Sequence, residues 1–220
     1  MTSDSETAQL PLIVPLGDAG LLVRFATTLS DAANRRAVAF ARGLTATRLP
    51  RGVAEIMPNL VSVLLKYDPR QIGFDELAGE VRLLIGTAGE EVAGAAHSIA
   101  VRFDGEDLDE VAAALKIAPD AFVAGHNERP LRVLATGFAP GFVYCGFHPA
   151  ELALPRRATV RPLVPPGTVL FAAGQTAIAA TPIPTGWHVI GHTDFRNFEP
   201  AAEPPTTLRA GDQVQFEALP

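Results

Sequence analysis

The sequence predicts an α+β protein in two parts: an α/β sandwich, then a mostly β domain that closes as a small barrel. Strand and helix patterns alternate up to about residue 103, and two short amphipathic stretches follow. From Leu131 onward, short apolar runs are punctuated by Gly and Pro with no helical period longer than a turn or two. A chain of 220 residues suits one large domain or two of roughly 100 residues each, and the change of style near residue 103 favours two.

In the first part, Leu21 to Phe25 reads as a strand entered through the Gly17 to Gly20 turn. Ser30 is placed to cap an alanine-rich helix running to about Gly43. Val53 to Met57 and Leu60 to Tyr67 are strands split by Pro58-Asn59, the second ended by Asp68-Pro69. Phe74, Leu77, Val81, Leu84 and Ile85 share one helical face, with Gly86 at the C-cap position. Ser98 to Phe103 supplies a last strand. The order β-α-β-β-α-β is that of a ferredoxin-like sandwich. The expected boundaries are a disordered polar tail over residues 1–9, a ferredoxin-like domain over 10–103 and a β-barrel domain over 104–220. Bridging helices occupy 107–126, built on Leu108, Val111, Ala112 and Leu115 and then on Pro119 to His126. Turn signals from Pro140 to Gly211-Asp212, with Gln213 to Phe216 as the closing strand, favour a closed barrel over an open sheet.

Composition excludes several functions. A net charge of −6 argues against broad nucleic-acid binding. No stretch approaches the roughly 20 apolar residues of a membrane span, and the first residues lack the pattern of a secretory signal. Cys145 is the only cysteine, so the chain has no internal disulfide or thiolate-rich metal site, and a reducing cytoplasm is the expected location. The Gly137 to Gly141 run is followed by Phe142 and Val143 rather than Lys and Ser/Thr, so it is no Walker loop. No serine follows Ser98, which removes a serine nucleophile from the second domain. A Cys145–His148 couple is disfavoured because free cysteines are usually buried small hydrophobes. His188, His192 and Asp194 share strand parity loosely suited to a metal, but Gly191 interrupts them, and hydrogen-bonded or surface histidines are the expectation. The acidic run Asp104, Glu106, Asp107, Asp109 and Glu110 reads as a solvated helix start whose carboxylates complement the dipole.

What remains is residues 136–167, dense in aromatics, glycines, prolines and arginines. Arg156, Arg157 and Arg161 offer guanidinium forks matched to a carboxylate or phosphate, and they sit between proline-rich segments. Surface arginines laying their stems on a barrel is the competing reading. Phe138, Phe142, Tyr144, Phe147 and Trp187 each suit a core, yet glycines spaced among them tilt the group toward a binding wall.

Six ordered motifs then carry a resemblance: T-G-F-A-P-G-F-V-Y (136–144), L-P-R-R-A-T-V-R (154–161), V-P-P-G-T-V (164–169), A-G-Q-T (173–176), G-W-H-V-I-G-H-T (186–193) and G-D-Q-V-Q-F (211–216). With P-L-G-D-A-G-L-L-V-R-F (15–25), the 49–60 run, Y-D-P (67–69) and V-R-F-D-G-E-D-L (101–108), nearly the whole chain resembles the KipI-like family. That family is also called the 5-oxoprolinase B subunit or allophanate hydrolase subunit 1. The resemblance implies an N-terminal ferredoxin-like domain and a C-terminal cyclophilin-like β-barrel. It implies partners as well: a biotin-dependent-carboxylase-like C subunit, of the allophanate hydrolase subunit 2 type, and a lactam-utilisation protein as the A subunit.

The implied reaction opens 5-oxoproline to glutamate with ATP and Mg²⁺ supplied at the level of the complex. The alternatives are the carboxyltransferase half of a urea or amide carboxylase, with biotin as its ligand, and a KipI-type inhibitor of a histidine kinase. Phosphorylating the lactam oxygen before water attacks needs anion-binding groups more than a nucleophile. The expected substrate or anion site is Arg156, Arg157 and Arg161, backbone N–H groups around Gly137 and Gly141, and Phe138, Pro140, Phe142, Tyr144, Gln175, Thr176, Trp187 and His192. The last of these, in Gly191-His192-Thr193, stands where the family usually has arginine. This makes anion affinity pH-dependent. Pro184-Thr185-Gly186-Trp187 and Thr176-Ala177-Ile178-Ala179-Ala180 depart from the family pattern too.

Overall fold

The computed structural model describes residues 11–46, 49–86 and 94–219, so the tail expected over residues 1–9 lies outside the described residues. The chain divides into two units, residues 1–92 and 93–220.

The first unit contains β1 (Leu12–Leu16), β2 (Gly20–Arg24), α1 (Asp31–Ala46), β3 (Val53–Pro58), β4 (Ser62–Tyr67) and α2 (Phe74–Gly86). Ser30 caps α1 as expected, its hydroxyl accepting from the Ala33 N–H at 3.2 Å. The sheet is antiparallel in the order β1-β2-β4-β3. Its core joins Leu21, Val23, Val63 and Leu65 of the strands to Phe40 and Leu44 of α1. Leu77 and Val81 complete it from the predicted face of α2, with Phe74, Leu84 and Ile85 packed against it.

Two expectations are corrected here. β1 is absent from the sequence reading because Pro15 breaks the strand pattern, but β1 is an edge strand, where a missing N–H is tolerated. The order is therefore β-β-α-β-β-α, and β1 takes the fourth place in the sheet that Ser98 to Phe103 is expected to fill. That later segment is β5 (Ala96–Val101), which pairs in parallel with β13 (Gln213–Ala218) in the second unit. The boundary thus falls near residue 93 rather than 103, because β5 finds its hydrogen-bond partner in the C-terminal strand.

The second unit continues with α3 (Leu108–Leu115), α4 (Pro119–Asn127), β6 (Leu131–Thr136), β7 (Val143–Gly146), β8 (Arg161–Val164), β9 (Thr168–Ala172), β10 (Gln175–Ile178), β11 (Ile183–Thr185) and β12 (His188–His192). Seven strands form one curled sheet in the order β12-β9-β10-β7-β6-β13-β5, and β8 and β11 form a separate pair. The two edges of the curled sheet meet at an antiparallel bridge between Arg102 and His192, with N···O distances of 2.9 and 2.8 Å. Gly191 permits this approach: a Cβ there would lie 2.3 Å from the Arg102 carbonyl oxygen. Inside, Val133, Val143, Cys145, Val169, Phe171 and Phe216 pack with Phe122 of α4. On the other face, Leu170, Ala172, Ala177 and Val189 pack with Phe142 and Trp187. Strands buried on both faces read as continuous apolar runs, which is why this half of the sequence shows little alternation. Among the described residues no helix is long and apolar enough to cross a membrane.

Candidate functional site

The stretch from Thr136 to Phe142 is a tight loop between β6 and β7. Gly137, Phe138 and Gly141 have φ of 128°, 78° and 69°. At Gly141 only glycine fits: a Cβ would lie 2.4 Å from that of Phe198 and 2.8 Å from that of Ala180. Buried Asn197 holds the loop, donating to the Gly141 carbonyl at 2.8 Å while its Oδ1 accepts from the Leu208 N–H. The Gly137 N–H is bound to the Phe142 carbonyl at 3.0 Å, so it is not the oxyanion donor expected there. Phe138, a non-glycine residue in the left-handed region, leaves its ring 71 % exposed at the tip beside exposed Pro140.

From Phe138 an aromatic ladder runs over the sheet: Phe138–Phe142 at 5.5 Å, Phe142–Tyr144 at 4.8 Å and Tyr144–Trp187 at 5.9 Å between centroids. The middle of the expected wall is core: Phe142 and Trp187 are buried, while Tyr144 is half-buried. Burial raises the Tyr144 phenol above its ordinary value, against the opposing charge of Arg156.

The three arginines divide. Arg157 Nη1 pairs with Asp107 at 2.5 Å and with Glu110 at 3.1 Å. Arg161 reaches Asp107 through Nη1 at 2.9 Å and Nη2 at 3.1 Å, and Glu106 through Nε at 3.0 Å. Asp107 also accepts the Val189 N–H at 2.7 Å. Burial opposes ionisation of Asp107, but the bonds from Arg161 and Val189 and the charges of both arginines outweigh it, holding the carboxyl below its ordinary range. Two corrections follow. Arg157 and Arg161 are committed to a carboxylate of their own chain, and Asp107, in an acidic run that opens α3 as expected, is their buried counter-ion rather than a solvated carboxylate. The residue numbers 107 and 157 lie too far apart for local pattern to show the pairing. Arg156 alone is uncommitted: exposed, with no ion pair or hydrogen bond among the described residues, its guanidinium lies 5.6 Å from the Trp187 ring centroid.

Thr176 and Gln175 do not join Arg156 as a group. Gln175 is buried on the ladder side of β10, and its Oε1 has no partner among the described residues. Thr176 faces the interior of the curled sheet, where its hydroxyl meets His126 Nε2 at 2.7 Å and His148 Nε2 at 2.8 Å. His126 Nδ1 lies 2.7 Å from Asn127 Oδ1, an oxygen that only accepts, so Nδ1 carries the proton. Neutral His126 Nε2 then accepts from Thr176, and His148 Nε2–H donates to the same hydroxyl. Burial pushes His126 down to about 4; burial, then the charges of His126 and Arg129, push His148 down to about 3. Sequence reasoning does not find this buried triad, since a lone histidine at the end of a helix carries no local signal.

The remaining expectations resolve simply. Cys145 is fully buried and burial raises its thiol to about 12, while His148 is engaged with Thr176, so there is no Cys–His couple. A bulge between Val189 and Gly191 breaks the parity of β12. His188 turns to the Pro155 carbonyl at 3.1 Å, His192 to Asp104 at 2.7 Å and Asp194 to Arg102 at 3.2 Å, so the three share no centre. His192 is not brought to the ladder.

A model of the carboxyltransferase domain, subdomain C and D, matches residues 11–208. The chain is 32% identical to the 5-oxoprolinase B subunit of Bacillus subtilis, covering 93% of this chain and 91% of that protein. It is 31% identical to the protein of the same name from Haemophilus influenzae, over 93% and 96% of the two chains. Among solved structures, TTHA0988 superposes with a TM-score of 0.80 at 38% identity, covering 91% of this chain and 40% of that one, so this chain spans about two fifths of its length. The urea amidolyase of K. lactis superposes with a TM-score of 0.75 over 98% of this chain and 15% of its own at 14% identity, a likeness of fold alone. A family model covering most of the chain, and relatives above 30% identity along nearly its full length, establish that the chain belongs to the carboxyltransferase-domain family, subdomains C and D, the KipI-like family that its motifs resemble.

Proposed function

We propose that this chain is the B subunit of an ATP-dependent 5-oxoprolinase, opening the lactam of 5-oxoproline to glutamate together with partner subunits. The observation that carries the reading is the match to proteins named as the B subunit of 5-oxoprolinase along nearly the full length of both chains. The expected partners are a carboxylase-like C subunit and a lactam-utilisation protein as the A subunit, in the cytoplasm. In fold terms, the first unit is a ferredoxin-like sandwich whose fourth strand comes from the N-terminus, and the second is a cyclophilin-like barrel.

Arg157 and Arg161 are paired within the chain. ATP and Mg²⁺ are expected at the level of the complex. This chain contributes one uncommitted guanidinium beside Trp187, suited to a small anionic substrate.

The test is co-expression with the two candidate partners and assay of ADP release. Release that depends on 5-oxoproline is the expected result, and release that ignores it in an intact complex removes the reading. If biotin-dependent carboxylation of a urea-type amide appears instead, the carboxyltransferase reading takes its place.

A further inference from the structure

Arg156 and Trp187 are flanked on both sides by bonds joining their two segments. Before them, the Pro155 carbonyl meets His188 Nε2 at 3.1 Å; after them, the Arg157 N–H donates to the Gly186 carbonyl at 2.8 Å. Asp107 completes the stitching, since one buried carboxylate takes both the Arg157 guanidinium and the Val189 N–H. Arg161, from β8, fills the remaining lone-pair positions of that carboxylate. The charge next to Arg156 in sequence is thus neutralised from within, while Arg156 is left open and fixed over an aromatic face.

One hydroxyl beside it has spare donor capacity. The Tyr144 hydroxyl makes no hydrogen bond among the described residues, and its ring stands against that of Trp187. Gln175, across Ala172 from Trp187 on the same face of the sheet, is buried and takes no part in that surface, since its unpartnered Oε1 only accepts hydrogen bonds.

We propose that Arg156, held over Trp187, is the receptor for the oxyanion of a small carboxylate ligand, and that Asp107 is the positioning residue that keeps Arg156 and Trp187 together. The choice of carboxylate rests on the functional reading above; the receptor itself rests on the geometry. Arg157 and Arg161, which the sequence offers as equals of Arg156, serve as the latch and do not bind the ligand.

Trp187 is the only tryptophan, so its emission reports on this site directly. The full chain is titrated with 5-oxoproline, with acetate and with inorganic phosphate. Wild type is expected to give a saturable change with 5-oxoproline at lower concentration than with phosphate. Arg156→Gln, an exposed change, is expected to weaken binding at least tenfold. Asp107→Asn is expected to weaken it about fivefold or more with the saturating amplitude retained, a split that general loss of structure does not produce. If Asp107→Asn does not fold, Arg157→Gln, which leaves Arg161 and Val189 on the carboxylate, is read instead with the same expectation.

No change in wild type, an unaltered titration in Arg156→Gln, or wild-type affinity in the latch variant overturns the proposal. Saturation by phosphate but not by 5-oxoproline overturns the carboxylate assignment. A chain that titrates with 5-oxoproline while the reconstituted complex ignores it keeps the receptor and removes the functional reading. A complex that turns over 5-oxoproline with unchanged KM in Arg156→Gln does the reverse.

Discussion

His126 and His148 lie with ring centroids 4.7 Å apart inside the curled sheet and divide one hydroxyl, that of Thr176, between them. Neither ring has a carboxylate to balance a proton. Unfolded, both titrate near 6.5; folded, they are pushed down to about 4 and about 3. Stability from these groups is therefore fully present above pH 6.5 and is lost as pH falls toward the folded values, by on the order of 3 kcal/mol per histidine at the acid end. Thermal melts from pH 8 to 4 should be level above about 7 and fall steadily below 6.5. His148→Gln should make the fall shallower, and a wild-type profile level down to pH 5 contradicts this account.

Removing the latch should be costly in a different way. Asp107→Ala leaves the Val189 N–H without its acceptor and the two guanidinium groups with only their exposed partners Glu110 and Glu106, and losing charged hydrogen bonds at a buried carboxylate typically costs about 1.5–3 kcal/mol. Glu110→Ala removes only an exposed partner and should cost less than about 1 kcal/mol. Urea unfolding of the two variants checks the contrast, and equal losses would falsify the burial argument.

Gly141→Ala tests the loop. A methyl group would meet Phe198 and Ala180 and would sit at a φ of 69°, so a loss of about 2 kcal/mol or more is expected. Thermal unfolding reads it directly, and a melt within a degree of wild type would mean the loop moves freely.

Phe138→Gly should behave in the opposite sense. Glycine relieves the left-handed strain, and the lost ring is mostly exposed, so stability should hold or rise by up to about 1 kcal/mol. Activity of the reconstituted complex should fall severalfold if the ring touches a ligand or partner. Unchanged kinetics in a more stable variant would leave the strained ring without a role.

Cys145 should be inert. Buried, with its thiol raised to about 12, it should not react with a thiol reagent within an hour under native conditions and should react fully in denaturant. Prompt native labelling is the contrary result.

Local order is legible wherever a short-range rule governs it. Ser30 as a cap, the apolar face of α2 and the loop glycines follow from cap chemistry, helical period and the steric freedom of glycine. Pairing across long separations is not. β5 belongs with β13, more than a hundred residues later, and nothing in Ala96 to Val101 says which strand it will join. The bulge in β12 is equally silent in sequence, yet it separates three residues that parity aligns.

Sequence by itself determined the family and the cast of the site: an aromatic and glycine-rich stretch with three arginines and no serine, lysine or thiolate chemistry beside them. The tertiary structure alone decided which arginine is available. Three neighbouring guanidinium groups are chemically equivalent on paper, and only the fold brings buried Asp107 to two of them and leaves Arg156 over Trp187. The physical reason is desolvation, because a carboxylate removed from water must be met by charge and hydrogen bonds from whatever the fold places beside it.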